Sequence, residues 1–268
     1  MKALVGLLLL AVAGELVGAQ LPPARNGFTV IAHRGNHTRA HENTLKALRE
    51  AADAGADYVE MDVRRTADGH YVLLHDGTVD RMTDGRGSVG QMTLAELRAL
   101  SVRDPRRPTV PPERIPTFEE ALEVIKGRIN VYLDFKQGDR DEVTRLIRKA
   151  GVAPQVLVYD RPENVAAWRQ AAPELPLIVS PPPDLRDGEG LVAFARRLGV
   201  EALDGSWELY SREMVSAAER AGIKVWPDIQ AREEGPAYFK NVLERGFTGA
   251  QTDHPEELID WLRQQDRR

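Results

Sequence analysis

The strongest constraint on this chain is an alternation. Eight short apolar runs recur along it: FTVIAH (28–33), DYVEMDV (57–63), INVYLDF (129–135), QVLVYD (155–160), LPLIVS (175–180), VEALDG (200–205), IKVWPDI (223–229) and FTGAQTD (247–253). Each is followed, directly or after a loop, by helical patterning. TLKALREAADAG opens on Thr44, a good N-cap residue, and closes on Gly55, which suits a left-handed C-terminal position. TFEEALEVIKG from Thr117 is punctuated in the same way. DEVTRLIRKAG, RPENVAAWRQAA, GEGLVAFARRLG, SREMVSAAERAG and GPAYFKNVLERG continue the theme, and PEELIDWLRQQ begins on Pro255. Repeated strand–helix units call for parallel strands joined by helical crossovers. Eight of them in about 240 residues fit an α/β fold of the (β/α)8 TIM-barrel type, with a doubly wound open sheet as the alternative. Nothing reads as a linker between domains.

One run breaks the alternation. HYVLLH (70–75) is separated from the second strand only by TADG. So short a turn joins antiparallel strands, because a parallel crossover needs a dozen or more residues. Residues 63–75 are therefore expected to form a β-hairpin beyond the second barrel strand, returning His75 to the C-terminal rim where barrel active sites are built. The irregular section 77–116 reads as a short insertion or active-site loop.

Composition narrows the function classes. Residues 1–19, MKALVGLLLLAVAGELVGA, combine a basic start, a short apolar run and a small-residue site. This is the pattern of a signal peptide cleaved before Gln20. It leaves residues 20–268 as a single exported domain, periplasmic or extracellular, with no transmembrane segment. With no Cys there are no disulfides. The net charge of −5 and the lack of a basic tract longer than 103–107 give no support to nucleic-acid binding. Oligomeric state is not legible.

The chemistry gathers at strand ends. Glu60 and Asp62 are two residues apart on one strand and point to the same side. Two such carboxylates are either solvated acids at a strand end or a pair whose repulsion is relieved by a cation between them, and oxygen ligands suit one divalent ion, Mg²⁺ or Ca²⁺. Asp134, at the end of the next parallel strand, can supply a third ligand. Lys136 shares its face and can meet an anionic substrate, or simply pair with Asp134. His33 and Arg34 end the first strand: histidine transfers protons near neutral pH and arginine is a fork for phosphate. A lone rim histidine is usually structural, but His33 and His75 together at one rim beside three acids are harder to dismiss. Glu42 enters the first helix from the rim, and Asn43 is expected to cap that helix.

In order, HRG (33–35), ENT (42–44), E-x-D (60–62), HD (75–76), IPTFEE (115–120), DFK (134–136), Trp226 and TDHP (252–255) resemble the glycerophosphodiester phosphodiesterase family over nearly the whole mature chain. The resemblance implies a barrel hydrolase that splits glycerophosphodiesters into glycerol 3-phosphate and an alcohol with a divalent metal. It assigns Glu60, Asp62 and Asp134 to the metal and His33 and His75 to acid–base catalysis. Arg34, Glu42 and Lys136 would surround the phosphate and glycerol, and Trp226 the substrate pocket. Three positions depart from the family pattern. Asp134 stands where Glu is usual. His41, expected at the surface, replaces a common Pro. Pro227-Asp228 follows Trp226 in place of Thr-x-Asn. The rival readings are a related barrel phospholipase acting on lysolipids or phospholipids, and a non-catalytic exported binding protein.

Overall fold

The computed structural model describes residues 19–24, 27–231 and 233–268. Residues 1–18, and with them nearly all of the expected signal peptide, lie outside the described residues. Eight parallel strands form a nearly closed barrel: β1 (Thr29–Ala32), β2 (Tyr58–Arg65), β4 (Asn130–Phe135), β5 (Val156–Tyr159), β6 (Leu177–Val179), β7 (Ala202–Leu203), β8 (Lys224–Val225) and β9 (Gly249–Thr252). They follow the order β8-β7-β6-β5-β4-β2-β1-β9. The remaining gap is spanned just past β8, where Gln251 N–H donates to the Pro227 carbonyl and Ile229 N–H to the Gln251 carbonyl, both at 2.9 Å. The ninth strand, β3 (Tyr71–Leu73), pairs antiparallel with β2, Val63 opposite Leu73. This is the expected hairpin, turning at Gly69 with φ +87°.

Helices α1 (Leu45–Ala54), α3 (Phe118–Ile125), α4 (Arg140–Ala150), α5 (Val165–Ala171), α6 (Gly188–Leu198), α7 (Arg212–Arg220), α8 (Pro236–Leu243) and α9 (Pro255–Gln264) separate the strands. The short α2 (Leu94–Arg98) lies in the insertion. Alternate strand residues such as Val59, Met61, Val131 and Leu133 face outward and are buried with Leu48, Phe118 and Ile147 of the helices. The other set faces inward.

That inner set changes character along seven of the eight strands. Ile31, Tyr58, Tyr132, Leu157, Ile178, Ala202 and Trp226 form one buried apolar cluster inside the barrel. Two residues further on, the same faces carry His33, Glu60, Asp134, Tyr159, Ser180, Asp204 and Asp228. A dry apolar layer thus supports a polar one at the C-terminal end. Trp226 belongs to the lower layer: it is buried, with its ring centroid 5.4 Å from that of Tyr58. The expectation that it lines the substrate pocket is not met, and Asp228 takes that level.

The insertion is less irregular than its composition suggests. Val72, Leu74, Val79, Met82, Val89, Leu97, Val102 and Ile115 bury a small core of their own. Within it α2 is closed by a capping box of Thr93 and Glu96. His41 is also buried, contrary to expectation. Its Nδ1 accepts from Asp104 N–H at 3.2 Å, fastening the loop before α1 to the insertion.

Candidate active site

Directly after β1 the chain bends back on itself. Arg34 and Gly35 both take left-handed conformations, φ +54° and +86°. A side chain at position 35 would collide with the Ala47 backbone at 2.8–2.9 Å, so the HRG sequence needs its glycine. The bend aims Arg34 N–H at Glu60 Oε2, 2.6 Å away, and leaves His33 on the rim.

A cavity of about 320 Å³ opens there, lined by His33, Arg34, Glu60, Asp62, His75, Asp134 and Lys136, together with Tyr132, Tyr159, Asp204, Asp228, Gln230 and Gln251. Seven of the nine expected site residues therefore converge on one space. Trp226 lies below it. Glu42 does not line it either; its buried carboxylate is gripped by Arg34 Nη1 at 3.1 Å and bidentately by Arg81 at 2.7 and 2.9 Å. Glu42 orients the arginine instead of facing the cavity.

The three acids form one cluster, with carboxylate oxygens of Glu60, Asp62 and Asp134 all within 4.8 Å of one another. Lys136 Nζ lies 2.6 Å from Asp134 and 3.1 Å from Asp62. Burial, joined by the charges of Asp62 and Asp134, pushes the Glu60 carboxyl well above its usual range. Burial and Asp62 raise Asp134 to about 6. Burial opposes ionisation of Asp62 as well, but Lys136, His75 and Arg34 outweigh it and keep that carboxyl low. Asp62 Oδ1 is buried, and the cation beside it is the Lys136 ammonium, 3.1 Å away. Three converging carboxylates, two of them pushed above their usual range by burial and by one another, offer the oxygen donor set and the uncompensated negative charge that suit a hard divalent cation.

Asn43 is not the helix cap; Thr44 is. With φ +56°, Asn43 clasps Asp62 twice, Nδ2 donating to Oδ2 at 2.6 Å and Oδ1 accepting from Asp62 N–H at 3.1 Å. Asn43→Ala strips a buried charge of its amide, and the expected loss is about 2–3 kcal/mol of unfolding free energy, read from urea titration.

Each histidine has a carboxylate behind it that sequence reading did not single out. His33 Nδ1 lies 2.7 Å from Asp253, and His75 Nδ1 lies 2.7 Å from Asp76. The HD and TDHP strings held the signal, but only as family motifs. Burial lowers the His75 pKa, against the pull of Asp62 and Asp76. Asp76 is in turn bound by Arg81 of the insertion at 2.6 Å. Burial raises the Asp76 carboxyl, yet hydrogen bonds from Arg81 and His75 overcome it and hold it at about 2. Arg81→Ala is expected to cost about 1–2 kcal/mol at neutral pH, charge-assisted bonds discounted for a partly exposed guanidinium. Because a depressed carboxyl stabilises the fold above its unfolded value, the difference from wild type should shrink as pH falls from 3.8 towards about 2. Unfolding titrations across that window check the sign.

The comparisons with known proteins agree with this geometry. Residues 33–257 match the model of the glycerophosphoryl diester phosphodiesterase family. A glycerophosphodiester phosphodiesterase of Caldanaerobacter subterraneus subsp. tengcongensis is 31% identical over 251 residues, 87% of this chain and 97% of the relative. Human glycerophosphodiester phosphodiesterase 1 is 40% identical over 133 residues, 48% of this chain and 40% of that protein. The Oleispira antarctica phosphodiesterase, solved with its product sn-glycerol-3-phosphate, superposes with a TM-score of 0.75 at 24% identity, covering 88% of this chain and 96% of that one. At that identity the likeness concerns the fold. On a family match spanning most of the chain, and a relative matched over nearly its full length, this chain belongs to the glycerophosphoryl diester phosphodiesterase family.

Proposed function

We propose that this chain hydrolyses glycerophosphodiesters to glycerol 3-phosphate and an alcohol, with His33 and His75 as the acid–base pair. The observation that carries the reading is the convergence of both histidines, two cationic side chains and three clustered acids on one cavity. The family match supports the reaction class, and the product bound by the Oleispira relative supports the product.

A phosphodiester repels nucleophiles and has a poor leaving group. Arg34 and Lys136 place positive charge where the phosphate would sit, and Glu42 and Asp62 hold the guanidinium in place. Glu60, Asp62 and Asp134 are the residues that would hold one Mg²⁺ or Ca²⁺, and such an ion supplies Lewis-acid stabilisation of charge on phosphoryl oxygens. Asp253 and Asp76 bind the Nδ1 atoms of the two histidines and so direct each Nε2 to proton transfer. One histidine takes a proton from the attacking hydroxyl and the other gives one to the departing alkoxide. The leader-like residues 1–19 support an exported enzyme.

The test is purified protein incubated with glycerophosphocholine and Mg²⁺ or Ca²⁺, with glycerol 3-phosphate measured as product. Glycerophosphoethanolamine, glycerophosphoinositol and a lysophospholipid complete the panel. Formation of glycerol 3-phosphate from the diesters is the expected result. Turnover of the lysolipid alone would identify a phospholipase, and binding without turnover a carrier.

A further inference from the structure

The rim carries a second donor set. His33 Nδ1 lies 2.7 Å and His37 Nε2 lies 3.1 Å from the same oxygen, Asp253 Oδ1. Ligand atoms of all three residues lie within 4.8 Å of one another. They come from the end of β1, the loop after it and the residue following β9, so the barrel's closure brings them together. The His37 side chain is 11% exposed and that of Asp253 31%, which gives the imidazole a fixed seat and an ion a route from solvent.

Two imidazoles and a carboxylate differ in kind from the neighbouring all-oxygen cluster. Glu60, Asp62 and Asp134 suit a hard ion, whereas two nitrogens with one oxygen suit Zn²⁺ and its neighbours and leave a fourth position for water. We propose that His33, His37 and Asp253 form a second metal site, for a borderline ion of the Zn²⁺ class, and that its occupation inhibits the enzyme. The site stands on its own geometry; the inhibition rests on the proton-transfer role proposed for His33. A neutral imidazole bound to metal through Nδ1 keeps its remaining proton on Nε2. It has no free lone pair with which to accept another, and giving up the one it holds would leave an imidazolate, so it is lost both as a base and as an acid. His37 itself does not line the cavity.

Co²⁺ with excess Mg²⁺, the latter to saturate the acid cluster, reads the site directly. Wild-type protein should show the visible absorption of nitrogen-ligated Co²⁺ at one equivalent. His37→Gln, which retains an N–H for Asp253, should lose it, and His37→Ala should do the same. Absorption that is absent in wild type, or unchanged in folded His37→Gln, overturns the site. In the diester assay Zn²⁺ should inhibit wild type, and His37→Gln should need at least ~10-fold more Zn²⁺ for the same inhibition while its activity without Zn²⁺ stays at wild-type level. Equal Zn²⁺ sensitivity overturns the inhibition. A protein inactive on every diester would refute the proposed function, and the Co²⁺ spectra would still decide the site.

Discussion

His75→Ala is expected to lower kcat/KM for a glycerophosphodiester by about 10²–10⁴-fold while the protein stays folded. His75 sits where the hairpin returns to the rim, with its side chain 34% exposed. Its structural service is performed by its backbone: the carbonyl accepts from Arg64 Nε at 3.0 Å and Nη2 at 2.6 Å, and truncation leaves both bonds in place. The side chain bonds Asp76, which keeps Arg81 as a partner in the variant. The unfolding free energy should therefore change by no more than about 0.5 kcal/mol, as for a substitution near the surface. His33→Ala should behave alike, since Asp253 keeps its contact with His37. Both losses belong in kcat, because Arg34 and Lys136 still offer charge to the phosphate. Wild-type turnover by either folded variant would remove that histidine from the chemistry.

Chelation is expected to have the other large effect. Dialysis against EDTA should abolish hydrolysis, and adding Mg²⁺ or Ca²⁺ should restore it. The physical case is the electrostatics of the acid cluster. Without an ion, burial and mutual repulsion leave Glu60 protonated well above its usual range and hold Asp134 at about 6. A divalent cation takes the place of that proton, so its affinity should rise with pH as these acids become easier to ionise. Binding to the folded state alone also raises stability, by about 2.7 kcal/mol at a free ion concentration of 100 Kd. Chelation should therefore lower the melting temperature as well as the rate. Identical rates and melting curves with and without EDTA would exclude a functional ion at these three acids. Asp134 offers a shorter reach than the glutamate usual in the family, so Mg²⁺ and Ca²⁺ should be compared in the restoration.

Much of the fold was legible because parallel barrel strands are buried on both faces and stand out as apolar runs between helices. All eight runs became barrel strands, and TADG turned the hairpin as expected. The insertion was read less well. Its helix α2 has five residues, too few for a periodic signal, and its apolar residues show their purpose only once they meet Val72 and Leu74 of the hairpin. The surroundings of two side chains near the first helix were not legible either. Asn43 precedes a helix and looks like a cap, but its left-handed backbone turns it onto Asp62. Glu42 lies among rim residues, yet two arginines take up its charge.

From sequence alone came the barrel, the strand ends that carry chemistry, and the pairing of Glu60 with Asp62 and of Asp134 with Lys136. A period of two and a parallel register are local rules that need no knowledge of the rest of the chain. Only the tertiary structure decided what stands behind those residues. Asp253 meets His37 across 216 positions of sequence, and Arg81 meets Glu42 across 39. Such contacts depend on how the barrel closes and how the insertion packs on its hairpin, and no local pattern encodes either. Trp226 shows the same limit: its neighbours in sequence put it on a strand, but the stagger of the barrel set its height, one layer beneath the cavity.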